Sequence, residues 1–555
     1  MNKQAAQYST QGTRQIGAFL DAVVSPMIKE EHASGASILD HVRNTPGVAV
    51  PEQLDSLLGL VDKASESKLL DAVVLGVRKY ESEHGTAPTA DVVEAALQQG
   101  RSALFGIDNS GKVLDSATSN AHDPGSLQPN RAVVAILSAI AEAIPFASYL
   151  PVDIQSNEAR LVVMSHQAGS NYGDYSQGAI MDGISVGDVY TSSSRFAAFD
   201  HSGNAPYSTR ITERSIGSTG LCDPGATGVP VLRGRTTIYV NGLVAARDTL
   251  QSNGAQSPLA GSVKIGSTEH SITGHVVVAT GEVVLTSVTP DFPPGTVVKA
   301  QGFVDYETAP ALIPSVIVRA DSFSLFANPW RVETGISIDA QTQISRELGI
   351  DANSEALMAI RTQMAMERHY QALRMAADLG ANNVVEYDFD YTAQIQQKNR
   401  AQIWADFQSV LGTADQNMAN LTMDHGITHL YVSAFVAAQM QALPAELFVS
   451  SGVTARPGVY RVGRLFGKYE VYYSPKVASQ AANLTTAQMI AVGRSSQVAR
   501  CPVVLGDAVS PTFLNLNMNS DLRSKAAMYA RDFTAVNPHA PSALGCALIN
   551  VTNLK

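Results

Sequence analysis

The chain has 555 residues, of which 45% are apolar, so it is long enough for two to four domains with true hydrophobic cores. Charged residues make up only 16%, against roughly 25% in ordinary soluble proteins, which predicts that self-association covers much of the surface. The net charge is −11 and the chain contains no basic run, which argues against a protein that coats nucleic acid.

Cysteine usage and hydropathy indicate a protein made in a reducing cytoplasm. Cys222, Cys501 and Cys546 are scattered and odd in number, so no disulfide framework is expected. Residues 1–15 have no apolar core and do not resemble a secretory signal. The longest apolar segment, 132–146, is shorter than the ~20 residues that a membrane helix needs, so we expect no membrane partner.

Residues 1–115 are predicted to form an N-terminal helical arm. Apolar residues recur there at helical spacing, as in Ile16, Phe19, Leu20 and Val23, and prolines separate the pieces. A polar, turn-rich linker over 106–130 and a further helix over 132–145 follow.

The chain then changes to strands and loops. Residues 159–164 read as a strand, and the next 60 or so, from Ser165 to about Gly228, are rich in Gly, Ser, Asp and Tyr. A stretch of this length without periodicity predicts an extended functional loop. Because it has few apolar residues, we expect neighbouring subunits to order it. We place it in a domain spanning 116–227.

Residues 228–315 form a β-rich block. Its predicted strands are 236–240, 262–265, 275–279, 282–285 and 296–304, and the Ala279–Glu282 turn predicts a hairpin. A small sandwich or barrel inserted between two segments of different character fits this pattern.

The segment from Trp330 to Gly380 is built for packing. An alternating strand and a short helix lead to a turn at Gly349–Asp351, and a helix of about seven turns runs from Asp351 to Ala377. Its apolar rows supply the candidate assembly residues Leu357, Ile360, Met364, Tyr370 and Leu373. The segment contains no nucleophile, metal cluster or phosphate loop, which indicates architecture rather than catalysis.

The remaining chain mixes helices and strands. Helices are predicted over 393–411 and 434–443, the second with Ser433 as N-cap, and strands over 427–432, 469–473, 489–492, 503–504 and 525–533.

Motifs with chemical meaning are weak. Gly183–Gly187 matches G-x-S-x-G, but its flanks lack the strand and helix of a nucleophile elbow, so a loop turn at Ser185 is favoured. His425 and His429 are four apart, but a glycine and β-branched residues separate them, which does not favour a metal-binding helix. Three alternating carboxylates could bind a cation, although a solvated strand edge is favoured: Glu386, Asp388 and Asp390. We therefore expect no catalytic residue, cofactor or metal.

An ordered series of motifs resembles the major capsid proteins of large contractile-tailed bacteriophages. The turn and long helix from Ser345 onward resemble the centre of that family's subunit. The later motifs follow in the family's order: the strand-then-helix entry at 427–433, the G-x-[FY]-x-V-Y-x-[DS]-P strand at 467–475, the strand at 489–494, and the terminal segments at 530–533 and 536–538. The resemblance covers about 130–165 and 316–545 and is that of a distant relative.

The resemblance implies an α+β protein with the HK-97 capsid fold, which encapsulins share. Its parts would be an N-terminal arm, an extended loop, a peripheral domain with a spine helix, and an axial domain, with the β-rich block as an insertion. The implied layout is the arm over 1–115, peripheral parts over 116–227 and 316–400, the insertion over 228–315, the axial domain over 401–525 and a return strand over 526–555.

The function implied is that of a structural, non-enzymatic capsid subunit that forms hexamers in an icosahedral phage head around packaged DNA. Its partners would be copies of itself and other virion proteins (portal, vertex and decoration proteins), with DNA contacted non-specifically. Its location would be the virion, after synthesis in the host cytoplasm. Two alternatives stay open: an encapsulin-like protein shell, and a β-rich serine hydrolase using Ser185.

Overall fold

A computed structural model describes residues 10–21, 34–44, 50–105, 129–153, 156–200, 204–251, 253–349, 352–516 and 523–555. The chain divides into two compact units. The first comprises Met1–Val163 and Asp321–Lys555, and the second comprises Met164–Ala320.

The described helices belong to the first unit. They are α1 (Thr10–Phe19), α2 (Gly35–Asn44), α3 (Glu52–Leu58), α4 (Lys63–His84), α5 (Ala90–Phe105), α6 (Pro129–Ala141), α7 (Ile338–Leu348), α8 (Ala352–Gly380), α9 (Tyr391–Gln394), α10 (Arg400–Thr422), α11 (Ala434–Gln441) and α12 (Ala540–Ala543). Within the described ranges, no helix is long and apolar enough to cross a membrane.

The strands form four sheets. They are β1 (Ser148–Tyr149), β2 (Glu158–Ala168), β3 (Ser194–Ala198), β4 (Tyr207–Arg210), β5 (Thr237–Val240), β6 (Leu243–Asp248), β7 (Gln256–Ile265), β8 (Thr268–Val277), β9 (Glu282–Thr289), β10 (Val298–Phe303), β11 (Val316–Phe326), β12 (Asn328–Ser337), β13 (Val384–Asp388), β14 (His429–Val432), β15 (Phe448–Ser450), β16 (Tyr460–Leu465), β17 (Tyr469–Tyr473), β18 (Ala487–Val492), β19 (Val503–Leu516), β20 (Arg523–Val536) and β21 (Cys546–Thr552).

Two of these sheets organise the first unit. A four-stranded sheet has the order β1-β19-β20-β12, and its centre is the long antiparallel pair β19–β20. A seven-stranded mixed sheet has the order β13-β21-β18-β14-β17-β16-β15. Helices α10 and α11 cover this second sheet with a core that includes Trp404, Phe407 and Met440.

The described N-terminal helices belong to the main core of the first unit. Apolar side chains of α4, α5 and α6, such as Val73, Leu97 and Ile136, share one buried cluster with Leu373 of α8 and Val492 of β18. The structure therefore differs from the expected separate arm over 1–115. An arm was expected because an amphipathic helix does not show in its sequence which surface it will cover. The predicted helical residue Val23 and most of the predicted linker 106–130 lie outside the described residues.

The long helix is confirmed. Ser337 caps α7 by accepting a hydrogen bond from the backbone N–H of Ala340, and α7 ends at Gly349. Gly349 has φ = 67°, a left-handed conformation that glycine adopts without a steric penalty. Helix α8 then runs without interruption for 29 residues.

The second unit is an eight-stranded, nearly closed sheet with the order β3-β10-β5-β6-β7-β8-β9-β4. Strands β3 and β4 meet at the open seam, where the Thr209 hydroxyl donates to the carbonyl of Ala198 at 2.8 Å. The predicted hairpin is confirmed as β8–β9, with Gly281 at φ = 66° in its turn.

The second unit begins earlier than the predicted β-rich block. Strands β3 and β4 lie in the segment 165–228, which was predicted to be an extended loop, and that prediction is wrong for these residues. The segment also contributes Tyr172, Tyr175 and Tyr190 to the core of the eight-stranded sheet. Arg195 is an inward-facing residue of β3 and is only 1% exposed. A charged residue at an inward position interrupts the apolar alternation by which a strand is recognised, so β3 was not predicted. Its guanidinium lies 4.2 Å from the centre of the Tyr172 ring, a favourable cation–π contact.

Candidate assembly surface

The C-terminal half of α8 is anchored in the core. Leu373 is fully buried, and Tyr370 joins it in the cluster shared with the N-terminal helices. The N-terminal half lies on the four-stranded sheet instead. There, Met364 is buried against Met528 and Ala530 of β20, with Ile360 partly buried beside them.

The exposed side of α8 begins at its first turns. Leu357 is partly buried, whereas Met358 is 66% exposed. The five predicted residues therefore form a gradient along the helix, from half-covered Leu357 and Ile360 to fully covered Leu373. The structure places the first two where a neighbouring molecule could complete their burial.

A buried ion cluster joins α8 to the β19–β20 pair. The Arg368 guanidinium lies 2.7 Å from Asp507 and 3.5 Å from Asp532. Burial opposes the charge on Arg368, but the two carboxylates outweigh it and raise its pKa. Burial raises the pKa of Asp532, and the positive charge of Arg368 offsets part of this increase. The Trp330 indole N–H also donates to Asp532 at 2.6 Å, and this fixes β12 against β20.

Three partly buried histidines lie on α4, α8 and β14. His84 is 3.0 Å from the Tyr472 hydroxyl, and His369 is 3.3 Å from the Tyr431 hydroxyl. Burial, reinforced by Arg456 and Arg461, lowers the pKa of His84 to about 4. Burial and the nearby His84 lower the pKa of His369 to about 3. Burial, together with Arg494 and His84, lowers the pKa of His429 to about 3. The three rings are therefore neutral at pH 7.

A two-stranded ribbon, β2–β11, packs on a core through Leu161 and Val163 but is exposed elsewhere along its length. Its strands run antiparallel, because Ala327 N–H donates to Asn157 at one end and Gly169 N–H donates to Ser315 at the other. The ribbon exposes large apolar side chains that a folded protein normally covers: Val162, Met164, Val316, Ile317 and Val318. Their exposed fractions run from 39% to 58%.

The turn at Ser185 is not a nucleophile elbow. Gly183–Ser185 form a single 3₁₀ turn. No strand leads directly into this turn, and residues 186–193 after it contain no α-helix. The backbone carbonyl of Ser185 accepts a hydrogen bond from the Tyr175 hydroxyl. The structure thus gives the hydrolase alternative no support.

The other candidate ligands lie apart. His425 pairs with Asp424 at 3.2 Å, while His429 contacts Thr428 at 2.7 Å. Asp388 accepts from Asn553, at the sheet edge formed by β13. Among the residues that the structure describes, no group of three or more His, Cys, Asp or Glu side chains could hold a metal ion.

Sequence reasoning missed the charged residues that hold the unit together. Arg368, Arg494 and Asp91 are isolated charges in the sequence, and they become buried partners only in the fold. The sequence gives only a weak indication that these residues are paired in the fold. Asp91 and Arg494 border apolar runs, whereas Arg368 lies between Glu367 and His369 and gives no such signal.

No protein-family model matches the chain, and no curated protein does. Solved structures to which it is similar include the capsid of the jumbo bacteriophage PhiKZ, at 9% identity over 73% of this chain and 91% of that one, with a TM-score of 0.37. Another is the capsid of the Myoviridae phage XM1, at 10% identity, 61% and 97% coverage and a TM-score of 0.28. A third is the SrpI encapsulin complex from Synechococcus elongatus, at 10% identity, 43% and 79% coverage and a TM-score of 0.25.

The chain is a distant structural neighbour of phage major capsid proteins, in keeping with the sequence motifs. At TM-scores below 0.5 this likeness assigns no role to individual residues.

Proposed function

We propose that this chain is the shell-forming subunit of a phage head, which assembles as hexamers into an icosahedral capsid around packaged DNA. The observation that carries the proposal is the exposed apolar ribbon β2–β11. Exposed apolar patches on a folded chain mark association sites. Other copies of the same chain are its proposed cover.

Three further features support self-association. Strand β12 is an edge strand with mostly exposed side chains, so its free backbone groups can pair with another chain. Phe326 and Met358 are 61% and 66% exposed on the same unit. The 16% charged fraction leaves few charges to keep separate copies apart.

The capsid assignment itself is supported by where the family-like motifs lie. The motif that begins at Ser345 contains the end of α7 and Gly349, and those at 467–475 and 489–494 fall on β17 and β18. We assign α8 as the spine helix, the four-stranded sheet as the peripheral domain, the seven-stranded sheet as the axial domain and the β2–β11 ribbon as the extended loop. The second unit is then the insertion at the end of that loop.

The negative net charge suits a shell whose contents are loaded by other proteins, because the wall need not bind DNA tightly. Portal, vertex and decoration proteins would be the remaining virion partners. The same fold assignment also fits an encapsulin-like compartment. The contents of the particle would distinguish this alternative from a phage head.

The proposal is tested by particle size. The purified full chain should sediment as hexamers or as megadalton particles. Ile317→Asp should leave the subunit folded, with an unchanged thermal midpoint, but should block growth beyond small species, because a charge is costly to desolvate in an apolar contact. Leu243→Asp, at a similarly exposed position of β6 outside the ribbon, is the matched control and should assemble normally.

A monodisperse ~59 kDa monomer under all conditions, including crowding and high salt, would contradict the proposal. Normal particles from Ile317→Asp would show that the ribbon is not the contact. DNA-filled particles from infected cells support a phage head, whereas particles filled with a cargo enzyme support the encapsulin-like alternative.

A further inference from the structure

A groove of about 690 Å³ crosses the outer face of β3, β10 and β5 in the second unit. Residues along these strands alternate between buried and partly exposed positions. Phe196, Tyr239 and Lys299 are partly exposed and line the groove. Lys299 lies directly opposite Tyr239 across the β10–β5 pair, and Phe196 lies opposite Gln301 across the β3–β10 pair.

Two aromatic rings form the floor of this groove. The centres of the Phe196 and Tyr239 rings are 6.3 Å apart, and their planes are tilted by 48°. Strand β10, which lies between them, is hydrogen-bonded on both sides, so the ring positions are held by a rigid sheet. The walls come from residues 219–221 on one side and from Asn241 and Val297 on the other.

Polar groups around the rings are held in fixed orientations. The Tyr239 hydroxyl donates to Gln301 Oε1 at 2.9 Å, and Gln301 Nε2 donates to Ser194 Oγ at 2.9 Å. Asn241 Oδ1 accepts a hydrogen bond from the backbone N–H of Val297 at 2.9 Å, so the side-chain amide nitrogen of Asn241 is directed away from that N–H. Oriented hydroxyl, amide and ammonium groups beside aromatic faces can recognise a ligand that has both C–H faces and hydroxyls.

A sugar ring has this chemistry. Its C–H groups carry partial positive charge and pack on the negative face of an aromatic ring, while its hydroxyls exchange hydrogen bonds with amides and hydroxyls. An added peptide strand fits less well, because β10 and β5 have partners on both sides and the outer edge of β3 is bridged at Phe196 by Leu221. A nucleic-acid strand fits less well too, because Lys299 is the one charged side chain in the described lining.

The groove is long enough for more than one ring. Past Val189 and Gly220 it meets a second hollow of about 530 Å³, which Tyr175, Tyr190 and the carboxylate of Asp188 line, so the preference for an acidic sugar is confined to the part beside Lys299. We propose that this groove binds an oligosaccharide, with one sugar ring packed on Phe196 and Tyr239 and with Lys299 favouring carboxylated sugars. This site is independent of the shell-forming role.

The test is saturation-transfer NMR on the full chain, with chitotriose as the neutral probe and trigalacturonate as the acidic probe. Wild-type protein should transfer saturation to ring C–H protons of the sugars at millimolar concentration. Phe196→Leu and Tyr239→Leu should each weaken binding about tenfold, since they remove an aromatic face. Lys299→Gln should weaken trigalacturonate binding and leave chitotriose binding unchanged.

Phe303→Leu is the matched control, because Phe303 is a partly exposed aromatic residue of β10 outside the groove lining. It should bind both probes as wild type does. No transfer to either probe, or equal loss in Phe303→Leu and Tyr239→Leu, overturns the proposal. If Tyr239→Leu changes particle size and wild type binds no sugar, another copy of the chain occupies the groove and the proposal is wrong. Should Tyr239→Leu fail to fold, Phe196→Leu and Lys299→Gln carry the test.

Discussion

The Arg494 guanidinium donates to both carboxylate oxygens of Asp91, at 2.8 and 2.9 Å, across 403 residues of chain. Arg494 follows the end of β18, and Asp91 lies in the first turn of α5. The same guanidinium donates to the carbonyls of Pro145 and Ala147. One side chain therefore ties the seven-stranded sheet to two parts of the N-terminal region, which makes that region integral to the first unit.

Arg494→Met should destabilise the subunit by roughly 3–5 kcal/mol, because it leaves the buried carboxylate of Asp91 without its charge partner. Urea unfolding followed by circular dichroism measures this loss. The control is Arg456→Met, whose partner Glu83 lies 3.2 Å away at a partly exposed site. Such a pair contributes about 1 kcal/mol or less. Equal losses in the two variants would contradict the integral role of Arg494.

Leu373→Ala should cost about 2–5 kcal/mol of subunit stability, because it opens a cavity in the main core. Leu357→Ala should cost far less in the free subunit, since Leu357 is only half-buried there. If a neighbouring copy covers this end of α8, Leu357→Ala should instead lower the yield of assembled particles. Denaturant titration of free subunits, beside sedimentation of assembled ones, separates the two effects.

Ile360→Asp should abolish soluble folding or assembly. Ile360 packs partly against Met364 and Met528, and a carboxylate there would be desolvated with no cation to pair with in that apolar cluster. Expression and sedimentation profiles of the variant provide the measurement. Particles indistinguishable from wild type would show that α8 does not hold the place assigned to it.

The three partly buried histidines predict a loss of stability in acid. His84, His369 and His429 have folded pKa values of about 4, 3 and 3, below the ordinary value of 6.5. The unfolded chain therefore binds these protons first, and stability falls as the pH drops from about 6.5 towards 4. Glu94 and Glu142 oppose the trend, because burial raises their pKa values.

His369→Gln removes one of these groups, so about one proton fewer is taken up on unfolding. The slope of its unfolding free energy against pH should therefore be smaller than that of wild type by about 1.4 kcal/mol per pH unit. Tyr431→Phe is the control. It removes the hydroxyl beside His369 but keeps the imidazole, so it should lower stability evenly and leave the slope intact. Parallel curves for wild type and His369→Gln between pH 6.5 and 4.5 would refute the assignment.

The elements with strong periodicity were predictable from sequence. Helix α8 and the β8–β9 hairpin follow from apolar spacing and from a glycine in the turn, both of which are local signals. The long β19–β20 pair was recognised only in part, as 503–504 and 525–533, because its pairing depends on distant partners. Strand β3 was missed because the inward position held by Arg195 is normally apolar, and the fold compensates that charge with the Tyr172 ring.

The candidate assembly residues were predictable as packing positions but not as a surface. Periodicity places Leu357 and Leu373 on apolar rows, yet it cannot tell which end of the helix the rest of the subunit covers. The apolar ribbon was equally hidden. Val316, Ile317 and Val318 are an apolar run for which no exposure was predicted, and only the fold shows that β11 has β2 as its sole partner among the described strands.

The boundaries of the second unit lead to an excision experiment. Deleting only 228–315 would remove six of the eight strands and leave β3 and β4 without partners. Gly169 and Ser315 are instead joined across the ribbon by a 2.7 Å backbone hydrogen bond. Replacing 170–314 with an Asn-Gly turn should therefore close the ribbon as a hairpin, because this dipeptide suits the tight turn between antiparallel strands.

The shortened protein should keep the first unit folded, with cooperative thermal unfolding and unchanged protection of α8 from hydrogen exchange. The excised fragment 170–314 should fold when expressed alone, because its core of Tyr172, Ile238, Leu285 and neighbouring residues lies almost entirely within it. The control is the deletion of 228–315, which should yield insoluble protein. If the longer excision also unfolds the first unit, the second unit is not an independent insertion and the proposed layout of the subunit is wrong.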